Sequence, residues 1–160
     1  MSRRSHLRLQ VILLGIILSL SPLLAAKELV LTGRLHHLRN EGTREWSSFP
    51  QQAEAKSLDI SFKLPGKPTE STLQLRQQDV KQSWKVVING KMIGKLQTNE
   101  NDMVRYLTVP ANALQPGENR LTISTDSKRG SDDIRIGEIS LFDQPRNMLL
   151  AEGQVSDQVF

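Results

Sequence analysis

Leu58, Ile60, Phe62 and Leu64 alternate with Ser57, Asp59, Ser61 and Lys63. A side-chain period of two belongs to a strand with one face buried and the other wet. The pattern recurs. Leu73 and Leu75 alternate with Thr72, Gln74 and Arg76, and Trp84, Val86 and Ile88 with Lys85, Val87 and Asn89. Leu121 and Ile123 alternate with Arg120, Thr122 and Ser124. Val104 and Tyr106 begin another run that ends at Pro110, and Glu28 to Thr32 reads as a first strand. Ile134 and Ile136 open a last strand. Its phase slips at Gly137-Glu138, and Ile139 and Leu141 continue on the other phase. A glycine beside a phase slip predicts a β-bulge. No stretch sustains a helical period; only Pro110 to Leu114 reads as a single helical turn.

Turn chemistry separates these runs: Pro65-Gly66-Lys67-Pro68, Asn89-Gly90, Gln115 to Asn119, and Lys128 to Ser131. Asn-Gly is a strong hairpin signal, because both residues tolerate the positive φ of a tight turn. Short strands at even spacing predict an all-β fold, two antiparallel sheets packed as a sandwich. Leu58, Ile60, Phe62, Trp84, Val86, Leu121, Ile123 and Ile136 are expected to face its core.

The chain opens MSRRSHLRLQVILLGIILSLSPLLAA. Arg3, Arg4 and Arg8 precede an uncharged apolar run from Val11 to Ala25, and the polar Lys27-Glu28 follows. Basic, apolar, small, polar is the order of a secretory signal peptide. The run is shorter than the roughly 20 residues of a spanning helix and contains Pro22. Residues 1–26 are therefore expected to be cleaved, leaving no membrane segment and a secreted or periplasmic protein. Ordinary secretion is expected, although Ser2-Arg3-Arg4 faintly resembles a twin-arginine signal.

This start explains the whole-chain pI near 9.6. Of 21 basic residues, three Arg lie in the signal, and all 17 acidic residues lie after it. The mature balance is 18 against 17, close to +1. That argues against a nucleic-acid partner, which wants a basic face on the mature domain. The chain has no Cys, which removes disulfides, thiolate metal sites and thiol nucleophiles together.

Three stretches then line up in order and spacing: VVINGKMIGKL, TVPANALQPGENRLTI (Thr108 to Ile123) and SDDIRIGEISL (Ser131 to Leu141). They resemble the galactose-binding-domain-like jelly roll, an accessory module of secreted bacterial hydrolases. Asn89-Gly90-Lys91 with Gly94 matches that family's strand, turn and return. Pro110, Gly117-Glu118-Asn119 and Leu121 match its helical turn, second turn and inner strand. The resemblance covers about Lys27 to Phe142, so residues 27–142 are expected to form the sandwich. Residues 143–160 are expected to be a linker and the start of a truncated second β-domain, or a segment that docks back. The resemblance implies a non-catalytic module, with any catalytic domain lying beyond this chain. It fits a carbohydrate or an extracellular protein as partner. It leaves the oligomeric state open.

The residues offer little catalytic chemistry. His36 and His37 are the two histidines after the signal. As strand neighbours they point to opposite faces, and an exposed pair is expected. No metalloprotease, nucleophile-elbow or phosphate-loop motif is present. Asp132-Asp133 reads as a solvated loop, and with Glu138 makes no convincing glycosidase pair. No cofactor is expected. The resembled fold often carries a structural calcium, for which Glu41, Asp133 and Glu138 are the candidate donors, with no geometry to fix them.

The most site-like stretch runs from Arg39 to Pro50. It is polar and carries Trp46 and Phe49 in a chain that is only 4% aromatic. Trp46 is the expected sugar-stacking platform, with Arg44 and Asn40 beside it; the competing expectation is that Trp46 and Phe49 plug the end of the core. Arg76 to Gln82 is a second polar cluster, in which Asp79 and Lys81 are candidate ligand contacts. Trp84, by its alternation, is expected in the core. Two readings follow: a module binding carbohydrate through edge loops, or a spacer with no ligand of its own.

Overall fold

The computed structural model describes residues 26–125 and 131–151, and the backbone of 158–159. Strands β1 (Glu28–Arg39), β2 (Ser57–Leu64), β3 (Ser71–Gln78), β4 (Trp84–Ile88), β5 (Lys91–Lys95) and β6 (Met103–Val109) come first. A 3-10 turn (Ala111–Ala113), β7 (Gly117–Thr125), β8 (Asp133–Phe142), helix α1 (Arg146–Ala151) and β9 (Gln158–Val159) follow. The apolar N-terminal run and the turn at Lys128-Arg129-Gly130 lie outside the described residues.

One sheet has the order β1-β8-β3-β6-β9 and the other β2-β7-β4-β5. Every strand pair in both sheets is antiparallel. Setting the short β9 aside, early and late strands pair in turn, 1 with 8 and 2 with 7, on alternating sheets. This is the eight-stranded jelly roll expected from the sequence. Leu73, Leu75, Ile134, Ile136, Ile139 and Leu141 bury against Trp84, Val86, Ile88, Leu121 and Ile123 between the sheets. Of the eight expected core residues only Ile60 stays partly exposed.

The local signals explain the elements. Asn89 (φ 50°) and Gly90 (φ 80°) both sit in the left-handed region, the mark of a tight two-residue hairpin turn. Asn89 Nδ2 also donates to Ala113 O at 3.0 Å and to Asn119 Oδ1 at 2.7 Å, tying the hairpin to the 3-10 turn and β7.

The expected bulge is present in β8. Leu75 of β3 faces extra residues between Gly137 and Ser140, and Glu138 takes φ 45°. β1 runs seven residues further than its sequence suggested. Two register shifts against β8, at Val30/Thr32 and Thr32/Leu35, break the alternation that would have marked it. After β8, Thr72 Oγ1 donates to Gln144 O at 2.7 Å, and α1 buries Leu149 over β6.

Candidate functional site

Asp132 and Asp133 organise one end of the sandwich. The sequence reading expected them in a solvated loop; both are fully buried instead. The reason is topological: β8 starts between the end of β1 and the β3–β4 connection, so both neighbours close over it. Asp132 accepts bonds from the Lys81 amide (3.2 Å), the Gln82 amide (2.9 Å) and the Trp84 indole (2.6 Å). Its own amide donates to Asn40 Oδ1 at 2.7 Å. Burial pushes the Asp132 carboxyl above the usual range, against the pull of the indole and the two amides.

Asp133 has the opposite balance. Burial opposes its charge, but the Arg39 guanidinium at 2.9 Å, the His37 ring and the Glu45 amide at 3.1 Å outweigh it and hold the carboxyl below its usual range. Glu45 Oε2 in turn accepts the Asp133 amide at 3.2 Å. The two aspartates thus fasten the 40–46 segment and the 79–84 segment to the head of β8.

The segment after Asn40 folds across the outer face of the first sheet. Gln78, Arg135 and His37 stand in register there, across β3, β8 and β1. Phe49 sits on them: its ring meets His37 edge-on with centroids 5.2 Å apart, and the Arg135 guanidinium lies 4.3 Å from its centroid. Arg135 also donates to Ser48 O at 2.9 Å. His37 is therefore only 5% exposed, which corrects the expectation of an exposed histidine pair. The neighbouring His36 points the other way, to Thr32 Oγ1 at 3.0 Å and Glu54 at 3.2 Å.

Beside Phe49 an open cleft of about 370 Å³ remains. Trp46, Ser48 and Phe49 line it from the loop, Gln78 and Asp79 from the end of β3 and just past it, Glu100 and Asp102 from the β5–β6 connection, and Arg135 from β8. Trp46 is 47% exposed and Phe49 only 7%, so the two scarce aromatics have separate roles. Phe49 is buried on the outer face of the first sheet and not in the end of the core between the sheets, and Trp46 stands at the cleft edge. Lys81 Nζ lies 4.9 Å from the Trp46 ring centroid and bonds Glu45 at 2.7 Å and Asp79 at 3.4 Å. Burial raises the Asp79 carboxyl, with Lys81 pulling the other way.

Of the five residues proposed from sequence, Trp46, Asp79 and Lys81 come together. Arg44 is exposed and folds back along its own loop, donating to Ser47 O at 3.3 Å and Phe49 O at 3.1 Å. Asn40 is buried, and its side chain caps the amides of Glu41 and Asp132. Both shape the loop that carries Trp46. Sequence reasoning passed over Arg135. Its signal was the alternation of Asp133 and Arg135 with Ile134 and Ile136, which puts the charges on the outer face.

The candidate calcium donors do not converge. Glu41 is exposed, Asp133 is bonded to Arg39 and His37, and Glu138 is paired to Arg76 at 2.8 Å. Among the described residues no group of three histidines or carboxylates is arranged to hold a metal ion.

No family model and no curated protein matches this chain. Among solved structures, the carbohydrate-binding module CBM36 in complex with calcium and xylotriose aligns at 13% identity and a TM-score of 0.41. That alignment covers 72% of this chain and 98% of the other. The CBM36-1 domain of a multidomain xylanase from the hindgut metagenome of Trinervitermes trinervoides aligns at 8% identity and a TM-score of 0.40, over 69% and 98% of the two chains. The infectious bursal disease virus Gx strain structure aligns at 7% identity and a TM-score of 0.33, over 84% of this chain and 43% of the other.

Proposed function

We propose that the chain is an exported, non-catalytic module that binds carbohydrate in the cleft beside Trp46. The observation that carries this reading is the half-exposed Trp46 ring at the edge of a cleft walled by amide, carboxylate and guanidinium groups. An aromatic face takes the C–H side of a sugar ring, while Ser48, Gln78 and Glu100 line the same cleft with groups that bond hydroxyls. The non-catalytic part is supported by how the acids are engaged. Asp79 is paired to Lys81, and Asp102 accepts two bonds from Arg76, at 2.8 and 2.6 Å. That leaves Glu100 without the matched partner that acid–base hydrolysis of a glycosidic bond needs. Export rests on the basic and apolar start of the sequence, and a secreted or periplasmic location follows from it.

The test is a glycan-array screen followed by Trp46→Ala. Stacking on one ring contributes on the order of 1 kcal/mol, so binding is weak and the variant loses about fivefold or more in affinity. Its melting temperature stays close to the parent's, because a half-exposed ring contributes little to the core. A drop equivalent to about 3–5 kcal/mol would instead mark Trp46 as a core plug. Failure of the array at every glycan would leave the spacer reading.

A further inference from the structure

The cleft also has a charge, and the charge chooses among glycans. Five carboxylates border it or lie one residue behind it: Glu45, Asp79, Glu100, Asp102 and Glu138. Four cations answer them, one of them Arg44, held on Ser47 O and Phe49 O. Lys81 is shared between Glu45 and Asp79, and Arg76 between Asp102 and Glu138. Arg135 is spent on the Phe49 ring and Ser48 O. Glu100 makes no ion pair among the described residues and is exposed. The lining therefore carries an excess of negative charge, and its unpaired member is open to solvent.

The site also shows what it does with an ammonium group. Lys81 Nζ sits against the Trp46 ring, between two carboxylates. A ligand amine entering beside Glu100 would meet the same combination of aromatic edge and carboxylate oxygen. A ligand carboxylate would meet like charges, with Arg135 already engaged. The carboxylates do not make the site; the cavity and Trp46 do, and the carboxylates set its preference.

We propose that the cleft selects glycans by charge, preferring amino sugars over neutral sugars and rejecting uronic-acid chains. This rests on the carbohydrate-binding reading above. The test uses three β-1,4-linked hexamers on one backbone, of glucose, glucosamine and glucuronic acid, at a pH where the amines are protonated. Binding to the native protein is measured by calorimetry at low and high salt. The expected order is glucosamine, glucose, glucuronic acid. Each step should be about three- to tenfold at low salt and shrink as salt screens the charges. Glu100→Gln should lower affinity for the glucosamine hexamer by more than it changes affinity for the glucose hexamer, since the amide keeps a hydrogen-bonding oxygen and loses only the charge. If the hexamers bind and Trp46→Ala weakens them, but the glucuronic acid hexamer binds as well as the others, charge selection is wrong and carbohydrate binding stands. An order insensitive to salt or to Glu100→Gln overturns it as well. If no hexamer binds, the carbohydrate reading fails and this inference falls with it.

Discussion

Gly137 is a glycine because another backbone needs the space. A Cβ built there would lie 1.9 Å from Arg34 O and 2.6 Å from Leu35 Cα. Backbone atoms of a paired strand cannot swing aside, so Gly137→Ala must separate β1 from β8. The expected loss is about 3 kcal/mol, at the upper end of overpacking costs, and urea denaturation measures it. Gly90 is the opposite case. Nothing lies within 4 Å of its built Cβ, but its φ is +80°. Gly90→Val should therefore cost roughly 1–2 kcal/mol through conformation alone, with more from β-branching. An unchanged melting temperature would contradict that. Both positions were flagged in the sequence, one by a phase slip and one by Asn-Gly. What the sequence could not show is that the constraint at Gly137 comes from Arg34, distant in the chain. It also could not separate Trp46 from Phe49. Which aromatic is buried depends on the row of His37 and Arg135 beneath the loop, and that row exists only once β1 and β8 pair.

At the scale of elements, the alternating strands and the tight turns were legible and the longer connections were not. A strand's buried face is written in its own residues, whereas a connection's role depends on what it lands on. Asp132-Asp133 has the composition of a solvated turn and becomes the anchor of two loops because β8 begins beneath them. β1 beyond Thr32 was unreadable for the related reason that its bulges hide the period. α1 carries too few residues for a helical period to register. The anchor has a measurable consequence. Asp132→Ala leaves the Lys81 amide, the Gln82 amide and the Trp84 indole without their acceptor. Each buried unpaired donor costs about 1–3 kcal/mol, and partial access of water keeps the total near 3–4 kcal/mol. Hydrogen exchange at the Lys81 and Gln82 amides should rise well above the change at the hairpin amides of β4 and β5. Uniform acceleration across all strands would show that Asp132 contributes global stability without holding these loops.

For the whole molecule, the balance of buried and paired carboxyls sets how the fold responds to acid. Burial tends to raise a carboxyl and a cation to lower it, and among the described residues the lowered groups are more numerous. The Arg34 bond draws Glu54 down to about 2, the Arg76 bonds lower Asp102, and the Thr122 and Arg120 bonds lower Asp59. Asp133 is lowered by Arg39 and His37 against its burial. A carboxyl held below its unfolded value binds fewer protons folded than unfolded. It therefore stabilises the fold above the unfolded value, near 4, and that contribution is lost as pH falls through the folded value. Asp132 and Asp79, raised by burial, act in the other direction and gain stability as they protonate. Glu54 and Asp59 are substantially exposed, so solvent screening discounts them, and Asp102 and Asp133 dominate. The melting temperature should therefore fall as pH drops below about 4, the unfolded value, towards the lower folded values of Asp102 and Asp133. Asp102→Asn removes one titrating group while keeping an oxygen for Arg76. It should start less stable at neutral pH and show a shallower acid decline. Parallel curves for the variant and the parent would show that the Arg76 pair contributes nothing to the acid response.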